Sequence, residues 1–523
     1  MKRFLSRKTI TGTLISIIIG FVRVMASIMF VWDSKMLVDI ATHKCDGDMT
    51  TYVWYMGCIM LVQIISGVAY SYWERINLLN TGNIIRHNVF SAALQSSWTG
   101  REEHLSGDIT NRIQEDVNVI NNLICSRIPL IAVTFYQLIV ASVYLVTLAP
   151  KLLVILVIIM IVGVLGSRMF FWTIRKLTEK IRKLDSERQQ YVQEKLQNRL
   201  VVLTLTGVER VISHFDDIQT DLKGQNIKRL NYHAVASTFM SFGFTAGYVS
   251  AFLWGVFGIR DGVVTYGMMT AFLQLVGQVQ RPIAELVSHI PAIIHSLTSR
   301  DRLIEILSKN KDIPTDPTLL KKAPDIVIDS ISYSYPGARQ NVFDEFSCRF
   351  ESGRLTVVSG PTGKGKSTLS KLIMGLIKPK VGNITYVPIS NFMYVPQGNS
   401  MLSGTVRENL LLSSPNASED DMKDALHIAE ADFVYDLPEG LDTICGEVGS
   451  GLSEGQAQRI SIARALLHPG CVLILDESTS ALDKDTEEKF LKNLLESRYR
   501  AKTIIFISHR EKILSFADAV IEL

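Results

Sequence analysis

The stretch VVSGPTGKGKSTLSKLI, residues 357–373, passes from an apolar run through a loop of glycines and small residues into a helical pattern. That order reads as strand, loop and helix. Residues 360–367 fit the spacing G-x-x-x-x-G-K-[ST] in full. Gly360, Gly363 and Gly365 let the backbone turn its N–H groups onto phosphate oxygens, with Pro361, Thr362 and Lys364 completing the loop. Lys366 is expected to reach the β and γ phosphates, and Ser367 to hold Mg²⁺. The helix that opens at Thr368 adds its positive end to the same site.

A second element follows about a hundred residues on. CVLILDE (471–477) carries four apolar residues that read as a buried parallel strand. Asp476 at its end is expected to hold the Mg²⁺ shell, and Glu477 to act as the base that orients an attacking water. Alone, the segment reads equally as a strand followed by two solvated acids. Beside the loop at 360–367 it becomes that loop's partner. From 325 to 523 strands and helices alternate, starting with DIVIDSISYSY (325–335), as in an α/β domain. The preceding segment 308–324, SKNKDIPTDPTLLKKAP, has three prolines, four lysines and no apolar period, and reads as a linker.

The first 307 residues are of another kind. Apolar runs recur at 10–31, 52–72, 128–149, 152–166, 235–259 and 263–279, and the only charge among them is Arg23. A helix needs about 20 apolar residues to cross the hydrocarbon, so six spans are expected. The first is too long for the core of a signal peptide. Lys2, Arg3, Arg7 and Lys8 precede the first span, and 173–234 carries twelve Lys or Arg, while the short loops near Pro150 and Asp261 carry one each. The bias puts both termini and the segments 73–127 and 173–234 in the cytoplasm. Those segments are rich in helix formers, as in KLTEKIRKLDSERQQYVQEKLQ (176–197), and read as helices continuing beyond the bilayer. The expected fold is thus a membrane all-α domain of six long transmembrane helices (1–307), the linker, and an α/β P-loop ATPase domain (325–523).

Bulk composition agrees. The 523 residues have a formal net charge of only +3, which signals neither nucleic acid nor a strongly acidic partner. Mean hydropathy is +0.21, high for a water-soluble chain. The six cysteines form no CxxC and no Cys/His cluster, so neither a disulfide framework nor a zinc site is indicated.

Between the loop and the acidic strand lies GSGLSEGQAQRISIARALL (449–467). Its Leu452, Ser453, Gly455 and Gln456, with an Arg-containing helix behind them, resemble the signature of ATP-binding cassette (ABC) proteins. Other elements match that family in order. Tyr335 resembles the aromatic residue that stacks on adenine, and Gln397 in YVPQ the Q-loop glutamine, a further Mg²⁺ ligand. SALD, with Ser480 and Asp483, resembles the D-loop, and His509 in FISHR the switch histidine. Glu447 falls in the loop that in exporters touches the membrane domain. SGDITNRIQEDVNVI (106–120) and GQVQRPIAELVSHIPAIIHSLTSRDRLIEIL (277–307) resemble the intracellular loop and sixth helix of exporter-type half-transporters. The resemblance covers nearly the whole chain. It departs at Glu454, where the commonest signature has glycine.

The resemblance implies a two-fold dimer of half-transporters, as a homodimer or with a related half, in the cell membrane. It implies ATP and Mg²⁺ as ligands, with each ATP held between Lys366 of one chain and Ser453 of the other, and coupling helices near 96–105 and 196–205. Glu477, His509 and Gln397 would carry hydrolysis, and export by alternating access the work. Spans rich in Tyr, Phe, Met and Gln suit an amphipathic cargo such as a peptide, lipid or drug. An ATP-gated channel or regulator, or an importer of the same fold, is the alternative. Arg23, near mid-depth, reads either as the hydrogen-bond partner of Gln274 or Gln278 or as a cavity charge for anionic cargo.

Overall fold

The computed structural model describes residues 6–95, 109–205, 207–308, 318–335, 337–338, 340–361, 363–398, 400–446 and 451–523. Thr362, Glu447, the first expected coupling helix and most of the linker lie outside them. The chain divides into two compact units, the first built on residues 1–90 and 110–305 and the second on 91–109 and 306–523.

Long helices make the first unit. They are α1 (Arg7–Ala41), α2 (Met49–Leu94), α3 (Ile109–Leu148), α4 (Pro150–Arg168), α5 (Phe171–Gln197), α6 (Arg199–Thr204), α7 (Val208–Arg260) and α8 (Tyr266–Ser308). Apolar solvent offers the backbone no hydrogen-bond partner, so a spanning segment must satisfy its N–H and C=O groups internally. Among the described residues five helices, α1, α2, α3, α4 and α7, are long and apolar enough to cross a membrane. The sixth expected span, 263–279, lies mainly in α8, which is not among those five. The 53 residues of α7 rise about 80 Å, far more than one bilayer crossing requires. Between α5 and α7 stands the six-residue α6, where the second coupling helix was expected. Large apolar side chains such as Trp54, Ile65 and Val162 project outward from α2 and α4, as lipid-facing residues do.

Small residues let these helices approach closely. On α7, Gly243, Gly247, Ala251 and Gly255 recur every fourth position and are all buried. Gln280 of α8, fully buried, enters this stripe and donates from Nε2 to the Gly243 carbonyl at 3.4 Å. A Cβ at Gly247 would stand 1.8 Å from that same Nε2. On the other face of the bundle, α1 meets α3 where Phe21 stacks on Tyr136 at 4.2 Å. Gln278 donates from Nε2 to Ser27 Oγ at 3.1 Å, one turn along α1 from Arg23, while its Oε1 is buried without a hydrogen-bond partner among the described residues. Arg23 itself is exposed on α1, within electrostatic reach of Tyr70, and the expected pairing with Gln274 or Gln278 is replaced by this arrangement.

Among the described residues of the second unit, ten strands form three sheets: β1 (Ile326–Tyr333), β2 (Phe343–Phe350), β3 (Leu355–Ser359), β4 (Val381–Ile384), β5 (Phe392–Val395), β6 (Gly404–Thr405), β7 (Ile444–Cys445), β8 (Val472–Asp476), β9 (Thr503–Ile507) and β10 (Ala519–Glu522). The central sheet has the order β10-β3-β9-β8-β5 and is parallel throughout. Its strands alternate between two cores. Val357, Val395, Leu473 and Phe506 point into one, and Val358, Phe392, Ile474 and Ile507 into the other. A parallel sheet covered on both faces requires such unbroken apolar strands. An antiparallel sheet β2-β1-β4 and the short pair β6-β7 complete the unit.

The close approach of α7 and α8 is testable. Gly247→Ala is expected to cost about 1–3 kcal/mol through overpacking against Gln280, read as a lower melting temperature of the purified protein. Adding Gln280→Ala should recover part of the loss. An unchanged melting temperature in Gly247→Ala would show that the α8 amide has room to move.

Candidate active site

Register decides where the functional residues meet. Val358 pairs with Ile507, Asp476 pairs with the same Ile507, and Val395 pairs with Leu475. The carboxyl ends of β3, β9, β8 and β5 therefore finish level, at the edge where open α/β sheets carry their sites. The loop 360–367, His509, Asp476–Glu477 and Gln397 all leave from those ends.

The phosphate loop turns on its glycines. Gly360, Gly363 and Gly365 have φ of 155°, 88° and 95°. At Gly365 a Cβ would also stand 2.5 Å from Val342 Cγ1, so both conformation and space require glycine. Helix α9 (Lys366–Ile373) begins directly behind it. Lys366 is buried and donates from Nζ to the carbonyls of Gly360 at 2.7 Å and Pro361 at 3.2 Å. The same Nζ lies 3.7 Å from Glu477 Oε1. Gln397 Nε2 donates to the other carboxylate oxygen of Glu477 at 2.6 Å. Lys364 is exposed at the rim of the loop.

The two neighbouring acids are aimed differently. Glu477 has φ +46°, a left-handed conformation that costs a non-glycine residue about 1–3 kcal/mol. Its N–H donates to the Ile507 carbonyl at 3.0 Å, which holds the turn. The kink presents the Glu477 carboxylate to Lys366 and Gln397 while Asp476 stays inside. Asp476 is 1% exposed. Its Oδ2 accepts from Tyr394 at 3.4 Å and the Ser367 hydroxyl bonds the same carboxyl, whereas Oδ1 is buried with no hydrogen-bond partner. An orphaned carboxylate oxygen beside a serine hydroxyl is the donor set a small hard cation takes, the remaining positions being left to water and phosphate. Tyr335 sits just past β1, its ring edge-on to Tyr333 at 5.2 Å and its hydroxyl 3.0 Å from Thr368 Oγ1 on α9. His509 is exposed two residues past the end of β9.

A second group gathers elsewhere on the same unit. Ser453 is the N-cap of α10 (Glu454–Leu467), and its hydroxyl accepts from the Gln456 N–H at 3.2 Å. The Gln456 side chain returns a bond to the Ser453 N–H at 2.9 Å, closing a capping box. Leu452 packs against the core. A Cβ at Gly455 would lie 2.9 Å from the Ala481 carbonyl. Glu454 points to solvent in the first turn, where a negative charge favours the helix dipole, so it disturbs neither neighbour. Asp483 caps α11 (Lys484–Glu496) by accepting from the Asp485 and Thr486 N–H groups. Those bonds, with the Thr486 backbone foremost, hold its carboxyl below the usual range.

Two residues not singled out in the sequence tie these pieces together. Gln458, fully buried, donates to Ser480 Oγ at 3.2 Å and accepts from the Ala481 N–H at 3.1 Å. Arg510 donates to the carbonyls of Ser480 and Leu482 and to Glu487 at 3.0 Å. Each adjoins a motif, Gln458 the signature and Arg510 the histidine, but only their contacts distinguish them from ordinary polar helix and loop residues.

With this geometry stand the known relatives. A family model described as ABC transporter transmembrane region matches residues 10–283, and one described as ABC transporter matches 343–480. The chain belongs to the ABC transporter family. It is a multi-pass membrane protein that carries its nucleotide-binding ATPase domain on the same polypeptide. It is 32% identical over 326 residues, 59% of its length, to the probable multidrug resistance ABC transporter ATP-binding/permease protein YheI of Bacillus subtilis (strain 168). That match spans 55% of YheI, little more than half of the relative. To the uncharacterized ABC transporter ATP-binding protein YknU of the same organism it is 28% identical over 456 residues, 84% of this chain and 77% of YknU. The structure of a bacterial Atm1-family ABC exporter with ATP bound superposes with a TM-score of 0.81 at 23% identity, covering 99% of this chain and 93% of that one. The two share a fold.

Burial pushes the Asp476 carboxyl up, with the Glu477 charge adding to the rise and the Ser367 and Tyr394 hydroxyls opposing it. Its folded pKa therefore exceeds the unfolded one. Asp476 contributes stability below the unfolded pKa and loses it as pH rises through the folded one. Asp476→Asn should accordingly raise the melting temperature of the unliganded transporter more at about pH 8 than at about pH 5. The same change should remove the stabilisation conferred by Mg-ATP. A thermal unfolding series at both pH values, with and without Mg-ATP, checks both; an undiminished Mg-ATP shift would exclude Asp476 as a ligand.

Proposed function

We propose that this transporter is an ATP-driven exporter of amphipathic compounds, with the membrane domain at 1–307, the linker at 308–324 and the nucleotide domain at 325–523. One observation carries the reading: Lys366, Glu477, Gln397 and the orphaned Asp476 oxygen converge at the ends of four parallel strands, behind a glycine loop. Lys366 bonds loop carbonyls and Glu477, and phosphate oxygens would take their place. Glu477, held by Gln397, is positioned to accept a proton from an attacking water. Ser367, Asp476 and Gln397 fit Mg²⁺, which when bound would neutralise charge developing on the transferred phosphate. Tyr335 is the base-stacking side chain of this reading, and His509 the group at the β9 end facing the γ phosphate.

The assembly proposed is a symmetric dimer of this chain. Ser453 and Gly455 have exposed or part-exposed positions at the α10 N-terminus, which offers N–H groups to an anion. ATP would lie between Lys366 of one chain and Ser453 of the partner subunit, with Leu452, Gln456, Ser480 and Asp483 shaping that edge. ATP shifts the equilibrium because it binds the closed dimer better than the open one, and hydrolysis releases it. The Lys and Arg bias supports a cytoplasmic nucleotide domain in the cell membrane. The relatives named for multidrug resistance and export support outward movement of drug-like cargo.

Glu477→Gln should keep ATP binding and lose more than about nine-tenths of turnover, a barrier increase above about 1.4 kcal/mol. Retained turnover in the purified variant would assign water activation to another group. Accumulation of an amphipathic dye in inside-out vesicles, ATP-dependent and against its gradient, should vanish in the same variant. Flux only down the gradient would instead identify a channel.

Linked dimers test the shared site. Lys366→Ala and Ser453→Arg placed in one chain, with a wild-type second chain, damage both composite sites. Placed in different chains, they leave one site whole. The second arrangement should retain ATP-dependent activity that the first lacks, and equal activity would contradict sites shared between chains.

A further inference from the structure

Helix α1 opens on two cations, Arg7 and Lys8, and has no acidic residue in its first turn. Both side chains are exposed, and among the described residues neither is paired with a carboxylate. They border a cavity of about 690 Å³ between α1 and α2. Among the described residues no acidic side chain lines it.

The rest of the lining is of two sorts. Ile15, Ile76 and Ile84 give it apolar walls, and the Trp73 ring joins them. The Trp73 N–H is already donated to the Gly12 carbonyl at 3.1 Å, so the ring has no donor left to offer. Asn80 and Asn83 are exposed on α2, and among the described residues their amides bond to nothing. The two walls are held at a set spacing. Thr81 donates to Thr9 at 3.2 Å and Asn77 to Thr13 at 3.4 Å. A Cβ at Gly12 would fall 2.3 Å from Asn77 Oδ1, so the helices are already as close as they can come.

Depth relates the two halves of the cavity. The apolar span begins at residue 10, so Arg7 and Lys8 stand at the membrane surface. Ile15 lies about 10 Å further along the helix, in the hydrocarbon. A ligand that satisfies both ends needs a negative head and an apolar tail. Inorganic phosphate would leave the apolar walls without a partner. A zwitterionic lipid brings its own ammonium group, which two cations repel and no carboxylate here receives. We propose that the α1–α2 groove is a binding site for an anionic phospholipid. Its phosphate lies against Arg7 and Lys8, its glycerol and headgroup hydroxyls meet Asn80 and Asn83, and an acyl chain follows Ile15 and Ile76.

The site rests on the membrane topology proposed above but uses no nucleotide, so it is tested without ATP and stands or falls apart from the ATPase reading. The full-length protein, delipidated in detergent, is titrated by native mass spectrometry with dioctanoyl phosphatidylglycerol, dioctanoyl phosphatidylcholine and inorganic phosphate. Phosphatidylglycerol should fill one site per chain about thirtyfold more tightly than phosphatidylcholine, the scale expected for two basic residues at a membrane surface. Arg7→Gln with Lys8→Gln should erase that preference. Asn80→Glu, which leaves both cations in place and adds a carboxylate among them, should shift it toward phosphatidylcholine. Equal first-site affinity for the two lipids in the wild type overturns the proposal. So does a preference that survives in both variants, or inorganic phosphate displacing the lipid as effectively as the lipid itself binds.

Discussion

Four parallel strands end level with one another, and the chemistry of the nucleotide domain depends on that alignment. The pairing of Ile507 with both Val358 and Asp476 puts the loop after β3, the acids after β8 and the histidine after β9 in one row. A shift of one residue in any strand would turn every side chain to the opposite core and withdraw its terminal residue from the row. The strong alternation between the two cores forbids such a shift, because each strand would bury the wrong set. Stability and catalytic geometry thus rest on the same register.

The site stores its readiness in backbone strain and unmet bonding capacity. Glu477 occupies a left-handed conformation, Asp476 keeps an oxygen without a partner, and Lys366 rests on loop carbonyls. Each is unfavourable or replaceable, and each would be answered by the triphosphate and cation of the proposed function. The signature segment is built on the opposite plan. Ser453 and Gln456 satisfy one another in a capping box, Gly455 lies close under Ala481, and Gln458 fixes the D-loop from beneath. It is a finished surface, offered outward, rather than a site awaiting contents.

The membrane domain follows a different rule. Lipid-facing side chains gain nothing from one another, so contact comes from small residues and buried amides. Gln280 inside the glycine stripe of α7, and Gln278 on Ser27 of α1, are among the polar ties between α8 and its neighbours. These same glutamines lower the mean hydropathy of α8. A helix surrounded by other helices can carry such groups, whereas one facing lipid cannot.

Much was legible beforehand because it is local. The loop at 360–367, the acidic strand, the signature and the apolar runs each announce themselves within a few residues, since phosphate binding, strand burial and membrane crossing constrain adjacent positions. Helix continuity across 208–260 likewise follows from composition along one segment. What needed the folded chain is everything set by residues far apart in sequence. Arg23 was read either as a partner of Gln274 or Gln278 or as a cavity charge; it stands exposed and unpaired with either amide, because the rotation of α1 against α8 brings Ser27 to Gln278. Gln458 and Arg510 look like ordinary polar residues until the D-loop folds back on them. The sequence by itself determined which chemistry the chain carries and in what order; the tertiary structure alone decided which side chains meet, because strand register and helix rotation are products of packing between distant segments rather than of any one segment's composition.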